Sequence, residues 1–386
     1  MHYRLLFSIL STAFIEQTAV AIIRVSTSYR AVELGLSVIW IGTITAVYAL
    51  LPILVGVQVG RFIDRGHDAV TTWLATGLLA IACFGFVLFP SLPALFVFTA
   101  ITGTAHLMLN VSQQVLCTKC GTGPGAIERT VGNYMVANAV GQGLGPYIVG
   151  WAGGAAHLPP TQLLFEIAAG GAVLSFISAL FIRPGPKRER RMREGAPPPL
   201  RELLLTPGLT TIMLVSVVTV VAQDLIVVYF PLLGAERHMS VDTVGMLLTV
   251  RAAASMLSRL LFVRLHMALG RRRLTIISTL TSAVAYACLA VPMALWAMYV
   301  MIALAGFALS VSITASIAGV LGIASGGAVG TANSLRTMAN RVGQFIIPLL
   351  AGLIAAATGT GGIFVIIGVT LAASGVAVRF EEKRAP

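Results

Sequence analysis

The sequence predicts an all-α membrane protein that crosses the bilayer about twelve times, as two six-helix bundles related by pseudo-two-fold symmetry. Three observations carry the prediction. The 386 residues are 57 % hydrophobic and only 10 % charged, with a mean hydropathy of +0.91, whereas soluble domains carry roughly 25 % charged residues. Apolar runs as long as a membrane helix, about 20 residues, recur from one end of the chain to the other. A segment of the first half also reappears at constant offset in the second.

The runs fall at residues 5–27, 38–60, 70–89, 93–116, 130–152, 161–182, 207–231, 241–263, 273–291, 295–321, 328–355 and 362–379. Breaks rich in Gly, Pro and charge divide them, such as Pro90-Ser-Leu-Pro93 and His157-Leu-Pro-Pro160. No small-residue cleavage site follows the first run, which therefore reads as a retained span rather than a signal peptide. Residues 183–206 are the one long polar stretch. They read as a cytoplasmic linker between an N-terminal bundle, 1–182, and a C-terminal bundle, 207–386.

A formal charge of +12 raises the question of nucleic acid, and the placement of the basic residues answers it. Seven of the 26 lie between Arg183 and Arg201, and many others mark the ends of apolar runs. With the N-terminus inside, inner loops and termini collect 19 and outer loops only Arg30 and Arg237. That asymmetry obeys the positive-inside rule. It predicts a multi-pass protein of a bacterial inner membrane, both termini cytoplasmic, with the lipid bilayer and no nucleic acid as partner. Cys117 and Cys120 form a CxxC pair, but a zinc site needs two further ligands and a redox site a βαβ context. Neither is visible, so two reduced thiols and no metal or cofactor are expected.

Span five reads ANAVGQGLGPYIVG over residues 137–150, and span eleven ANRVGQFIIPLLAG over 339–352. Seven of the fourteen positions match at an offset of 202 residues. These spans hold equivalent places in the two halves, so the repeat is parallel, a signature of transporter architectures.

Two motifs extend this into a family resemblance. Between spans two and three stands Gly60-Arg-Phe-Ile-Asp64-Arg65-Gly66-His67-Asp68. It resembles the loop signature G-x-x-x-D-R-x-G-R-R of the major facilitator superfamily, with His67 and Asp68 in place of the Gly and the first Arg. The second half keeps the other end, Gly270-Arg271-Arg272-Arg273, and lacks the Asp. The resemblance implies a cytoplasmic gate formed by Gly60, Asp64, Arg65 and Arg271. In physical terms, Asp64 can cap a helix N-terminus and pair with an Arg, favouring one state of a rocking bundle.

The second motif is Gly132-x8-Gly141-x3-Gly145-Pro146-x3-Gly150 in span five. It is similar to the antiporter signature G-x8-G-x3-G-P-x2-G-G, departing where Val149 replaces a Gly. In the family this signature marks exporters, chiefly drug:proton antiporters, so the resemblance implies proton-coupled efflux. Read directly, the glycines permit close helix contact and Pro146 bends the helix. One departure weakens the usual coupling scheme: Thr99 and Thr102 stand before Gly103 where that branch carries an Arg and a Gln.

Ionisable groups inside a span are costly and normally face a cavity or a partner. Glu16 lies mid-span one beside Gln17, with Arg24 two turns on; His106 and Asn110 lie in span four. Asp224 lies in span seven, Arg251 midway along span eight, and Arg336 and Arg341 in span eleven. Glu16, Arg24, His106, Asn110, Asp224, Arg251 and Arg341 are the candidates for substrate or proton binding. A carboxyl whose surroundings alternate between wet and dry can load a proton on one side and release it on the other, so Glu16 is the candidate coupling site. Arg24 and Asp224 lie at similar depth on symmetry-related spans and are expected at an outer gate. The surplus of Arg makes an anion one option for the cargo, since a guanidinium grips carboxylate or phosphate with two N–H groups, beside the lipophilic cations usual for the antiporter branch.

No HExxH, nucleophile elbow or phosphate-binding GxxxxGK[ST] loop is present, which argues against a membrane enzyme or a primary pump. The expectation is a monomeric secondary transporter without catalytic residues. It would exchange a small amphipathic or anionic molecule for protons by alternating access, with an organic-anion importer or facilitator as the alternative.

Overall fold

The computed structural model describes residues 3–120, 126–183, 208–323 and 329–381, which hold helices and no strand. Spans one to seven are the helices Tyr3–Glu33, Val38–Asp64, Asp68–Leu88, Leu92–Cys120, Ala126–Gly153, Thr161–Leu180 and Leu209–Glu236. Spans eight and nine share Val241–Ala290, and spans ten to twelve are Leu295–Ile323, Val329–Thr358 and Thr360–Glu381. Ten of these eleven helices are long and apolar enough to cross a membrane. Span five falls short because Asn133, Asn138, Gln142 and its glycines dilute its hydropathy.

The junction of spans eight and nine corrects the sequence reading, which placed a loop at 264–272. The helix runs through that stretch and breaks only at Gly270 (φ 70°, ψ 161°). Leu265, Met267, Ala268 and Leu269 are good helix formers. One glycine at positive φ, a conformation that residues with a side chain rarely adopt, makes the whole turn.

By contact the chain forms two units, Met1–Glu189 with Val228–Thr249, and Arg190–Val227 with Val250–Pro386. Beyond Arg183, the expected linker lies outside the described residues. In the first unit span one packs against spans five and six, span four against spans two and three, and span three against span six. Small residues set these distances. A Cβ on Gly141 would strike the Phe14 carbonyl, and one on Gly145 the Ala21 side chain. Spans five and eight cross at Gly150 and Gly245, where a Cβ on Gly150 would come 3.2 Å from the Gly245 Cα. At that end the Val241 and Asp242 amides donate to the Ala156 and Gly154 carbonyls at 2.8 and 3.0 Å.

Gly103 brings spans two and four together, since a Cβ there would run into the Tyr48 carbonyl. Backbone cannot swing aside as a side chain can. Gly103→Val is therefore expected to destabilise the protein by about 3 kcal/mol, the upper end for an overpacked core. A melting temperature in detergent equal to that of the wild type would refute the tight crossing.

In the second unit span eleven packs against spans ten and twelve. Gly306 lies against the Arg251 backbone, and Ser278 and Ser312 join spans nine and ten by a 2.7 Å hydroxyl bond.

Candidate functional site

The crossing at Gly103 places Tyr48 of span two beside His106, one turn further along span four. The Tyr48 hydroxyl bonds His106 Nδ1, and Gln17 Nε2 of span one bonds His106 Nε2 at 2.8 Å. The same amide donates to Glu16 Oε1 at 3.3 Å. Arg24, two turns along span one, lays its guanidinium over the Tyr48 ring, 5.1 Å from the centroid. Glu16, Gln17, His106, Tyr48 and Arg24 thus form one continuous polar chain across three spans.

Glu16 is fully buried, and its Oε2 accepts no hydrogen bond from any described residue. The Asn110 amide donates to the His106 carbonyl at 2.9 Å, and its Oδ1 accepts from the Tyr134 hydroxyl at 3.2 Å. Tyr134, in span five, lies within electrostatic reach of Glu16. The predicted residues Glu16, Arg24, His106 and Asn110 therefore share one cluster. Gln17, Tyr48 and Tyr134 connect them.

A cleft opens on this cluster. Its walls are Ile23, Arg24 and Ala31 of span one, Ile41, Ile44 and Tyr48 of span two, Thr99 and Thr102 of span four, and Val228. Thr99 and Thr102, the departures from the antiporter pattern, are thus wall residues of the cleft.

The second unit gathers the other candidates. Gln344 Nε2 donates to Asp224 Oδ2, and Arg341 Nη1 donates to Gln344 Oε1 at 3.1 Å. Tyr286, which donates to the Ala222 carbonyl at 2.7 Å, lies within electrostatic reach of both Asp224 and the buried Arg251. Arg336 donates to Ser216 Oγ at 3.0 Å. Arg24 belongs to the first unit and Asp224 to the second.

The loop motif is placed differently from its reading. Asp64 ends the span-two helix, and His67 rather than Asp64 holds the N-cap position of span three. The cause is brevity, because only Arg65, Gly66 and His67 separate the two helices, with Gly66 turning at φ 89°. The Asp64 side chain lies outside the described residues. Arg65 is exposed, a Cβ at Gly60 would meet nothing within 4 Å, and Arg271 reaches the Gly319 carbonyl at 3.4 Å. The ion pair at this end is one the sequence did not reveal: Asp68 Oδ2 lies 2.5 Å from Lys119 Nζ at the end of span four. Cys117 and Cys120 are buried free thiols packed with Leu6, Ile9 and Tyr134.

Of the span-five motif, Gly141 and Gly145 pack on span one and Gly150 on span eight, while a Cβ at Gly132 would meet open space. Thr249 donates to the Gly143 carbonyl at 3.3 Å, one turn before the interior Pro146.

The helical architecture and the buried polar chain are those of a membrane transporter rather than an enzyme. The family model of the Major Facilitator Superfamily matches residues 9–237 and 212–386, and the chain belongs to that family. Among solved structures it is similar to a mutant of the nucleoside transporter NupG, at 12 % identity over 98 % of this chain and 99 % of that one, with a TM-score of 0.82. It is also similar to a bacterial homolog of the human lysosomal transporter Spinster, inward-facing and occupied, at 15 % identity over 98 % and 96 %, with a TM-score of 0.81. A D-xylose–proton symporter aligns at 15 % identity over 100 % and 98 %, with a TM-score of 0.79. A comparison with curated proteins gives no match.

Proposed function

We propose that this chain is a proton-coupled exporter of a small amphipathic or anionic molecule, acting as a monomer in a bacterial inner membrane with both termini cytoplasmic. Its halves, 1–182 and 207–386, would rock about the linker to give alternating access. The observation that carries the reading is the buried chain from Glu16 through Gln17, His106 and Tyr48 to Arg24. It joins a titratable acid to a cation in the wall of a cleft, so occupancy by a proton and by a ligand can influence each other. Protonation relieves the cost of holding Glu16 charged away from water. The seven polar and ionisable candidates would serve this exchange, and Gly60, Asp64, Arg65 and Arg271 the inner gate.

Export rests on the span-five motif. One observation favours the alternative, an organic-anion importer or facilitator: Gly141, Gly145 and Gly150 are each accounted for by packing. A proton symporter also shares this fold.

Proteoliposomes separate the three. A pH gradient is imposed in each direction and internal substrate followed for a panel of organic anions and lipophilic cations. Exchange predicts that substrate accumulates on the acidic side, symport that it accumulates on the alkaline side, and facilitation that it does neither.

A further inference from the structure

We propose that Gln17 is the positioning residue of this site, its amide holding the His106 ring in one tautomer while Glu16 is charged and in the other once Glu16 carries a proton. The inference deepens the exchange reading and rests on it only in taking Glu16 as the group that gains and loses the coupling proton.

One amide nitrogen serves two acceptors. Gln17 Nε2 lies 3.3 Å from Glu16 Oε1 and 2.8 Å from His106 Nε2. An amide nitrogen has two protons to give and accepts none, so each partner receives one. His106 Nε2 must then present its lone pair, because a proton there would set N–H against N–H. A neutral imidazole keeps its single proton on the other nitrogen. Nδ1 therefore donates to the Tyr48 hydroxyl oxygen, and Glu16 accepts, as a carboxylate does.

A proton on Glu16 reverses the order. Oε2 of this acid is buried with no partner among the described residues, so an O–H there would be a stranded donor. On Oε1 the proton meets Gln17. The amide turns over and offers its oxygen, whose two lone pairs serve two donors. One takes the Glu16 proton, and the other takes a proton on His106 Nε2. The ring now carries its proton on Nε2, and its bare Nδ1 accepts from the Tyr48 hydroxyl. The two states differ by one proton, the one on Glu16. The imidazole holds one proton in each, which leaves one nitrogen and returns at the other by exchange with water.

The surrounding charges leave this amide to its two partners. Spans two, four, five and six pack against span one. Span five brings Tyr134 within electrostatic reach of Glu16, its hydroxyl given to Asn110. Glu128 and Arg129 stand in the first turn of that span, and Tyr147 is exposed. Span six contributes only Glu166, exposed and bonded to Gln162. In span four the thiols Cys117 and Cys120 pack with Ile9. Lys119, like Arg61 and Asp64 of span two, lies in the last turn. Arg24 of span one lies over the Tyr48 ring. Tyr48 is also a wall residue of the cleft. Its hydroxyl accepts from His106 in one state and donates to it in the other, so the proton on Glu16 is registered at that wall.

The test reads the ring directly, by nitrogen NMR of the full-length protein with isotope-labelled histidine, in nanodiscs, across pH. His106 is assigned by the loss of its signals in His106→Gln. Should that variant not fold, it is the histidine left when the other five of the six are replaced by Gln. The wild type is expected to carry the His106 proton on Nδ1 at alkaline pH and on Nε2 at lower pH, with one nitrogen bare in both. Glu16→Gln should abolish the change and leave one tautomer throughout. Gln17→Met, which keeps the length of the side chain and removes the amide, should do the same. The wild-type titration decides by itself if Gln17→Met does not fold. A ring that keeps one tautomer until both nitrogens are protonated overturns the proposal, and so does a change of tautomer that survives either substitution.

Transport separates this proposal from proton-coupled exchange. A tautomer change in a protein whose transport ignores pH supports the relay and removes the exchange reading. Transport driven by pH with a fixed tautomer overturns the relay alone.

Discussion

Glu16→Gln abolishes uphill transport and spares exchange: this is the largest functional effect expected of any single substitution in the chain. Glutamine has the shape of the protonated acid and can still accept from Gln17, now 3.3 Å from Glu16 Oε1, so packing around a fully buried position is preserved. What disappears is the ability to gain and lose a proton. One pH unit corresponds to about 1.4 kcal/mol per proton, enough to sustain a roughly tenfold concentration ratio at one proton per cycle. In proteoliposomes with a one-unit gradient the wild type should approach that ratio, and the variant should fall to a ratio of one. Counterflow of labelled against unlabelled substrate, which needs no net proton movement, should continue in both. A variant that still accumulates substrate in response to the gradient would move the coupling proton away from Glu16.

The parts of this site legible in the sequence were those that repeat or stand out against an apolar background. Glu16, Arg24, His106 and Asn110 are conspicuous because each is polar within a span, where polarity is expensive. The parts that were not legible depend on which helices touch. Tyr48 reads as one more aromatic residue in span two, and nothing nearby in sequence announces that its hydroxyl meets His106, 58 residues away. Only the close crossing at Gly103 brings them together. Gln17 was visible as a neighbour of Glu16, but its amide, bonded at once to the acid and the imidazole, joins them only in three dimensions. The loop between spans eight and nine misled for a different reason. A run of three arginines after a glycine reads as a polar loop, yet arginine is a good helix former, and Gly270 by itself turns the chain.

The largest structural effect is expected at the pair of Asp68 and Lys119, where the chain departs from its family's loop signature by carrying an acid, Asp68, in place of the first Arg. Asp68 opens span three, and its Oδ1 accepts the Ala69 amide at 3.0 Å, an orientation the positive end of the helix favours. Its Oδ2 lies 2.5 Å from Lys119 Nζ, with the aspartate side chain 1 % exposed and the lysine 20 %. Such a pair contributes little net stability relative to an apolar replacement, because both charges leave water, but losing one partner leaves the other stranded. Lys119→Met should therefore cost about 3–5 kcal/mol, seen as a large fall in melting temperature. Asp68→Asn alone should cost less, since the more exposed lysine can turn toward solvent while the amide oxygen still accepts from Ala69. The double variant Asp68→Asn with Lys119→Met should recover most of the loss of Lys119→Met. That non-additivity is the signature of a direct pair. Strictly additive losses would mean that the two residues act separately, and that span four is fastened to span three by its packing alone.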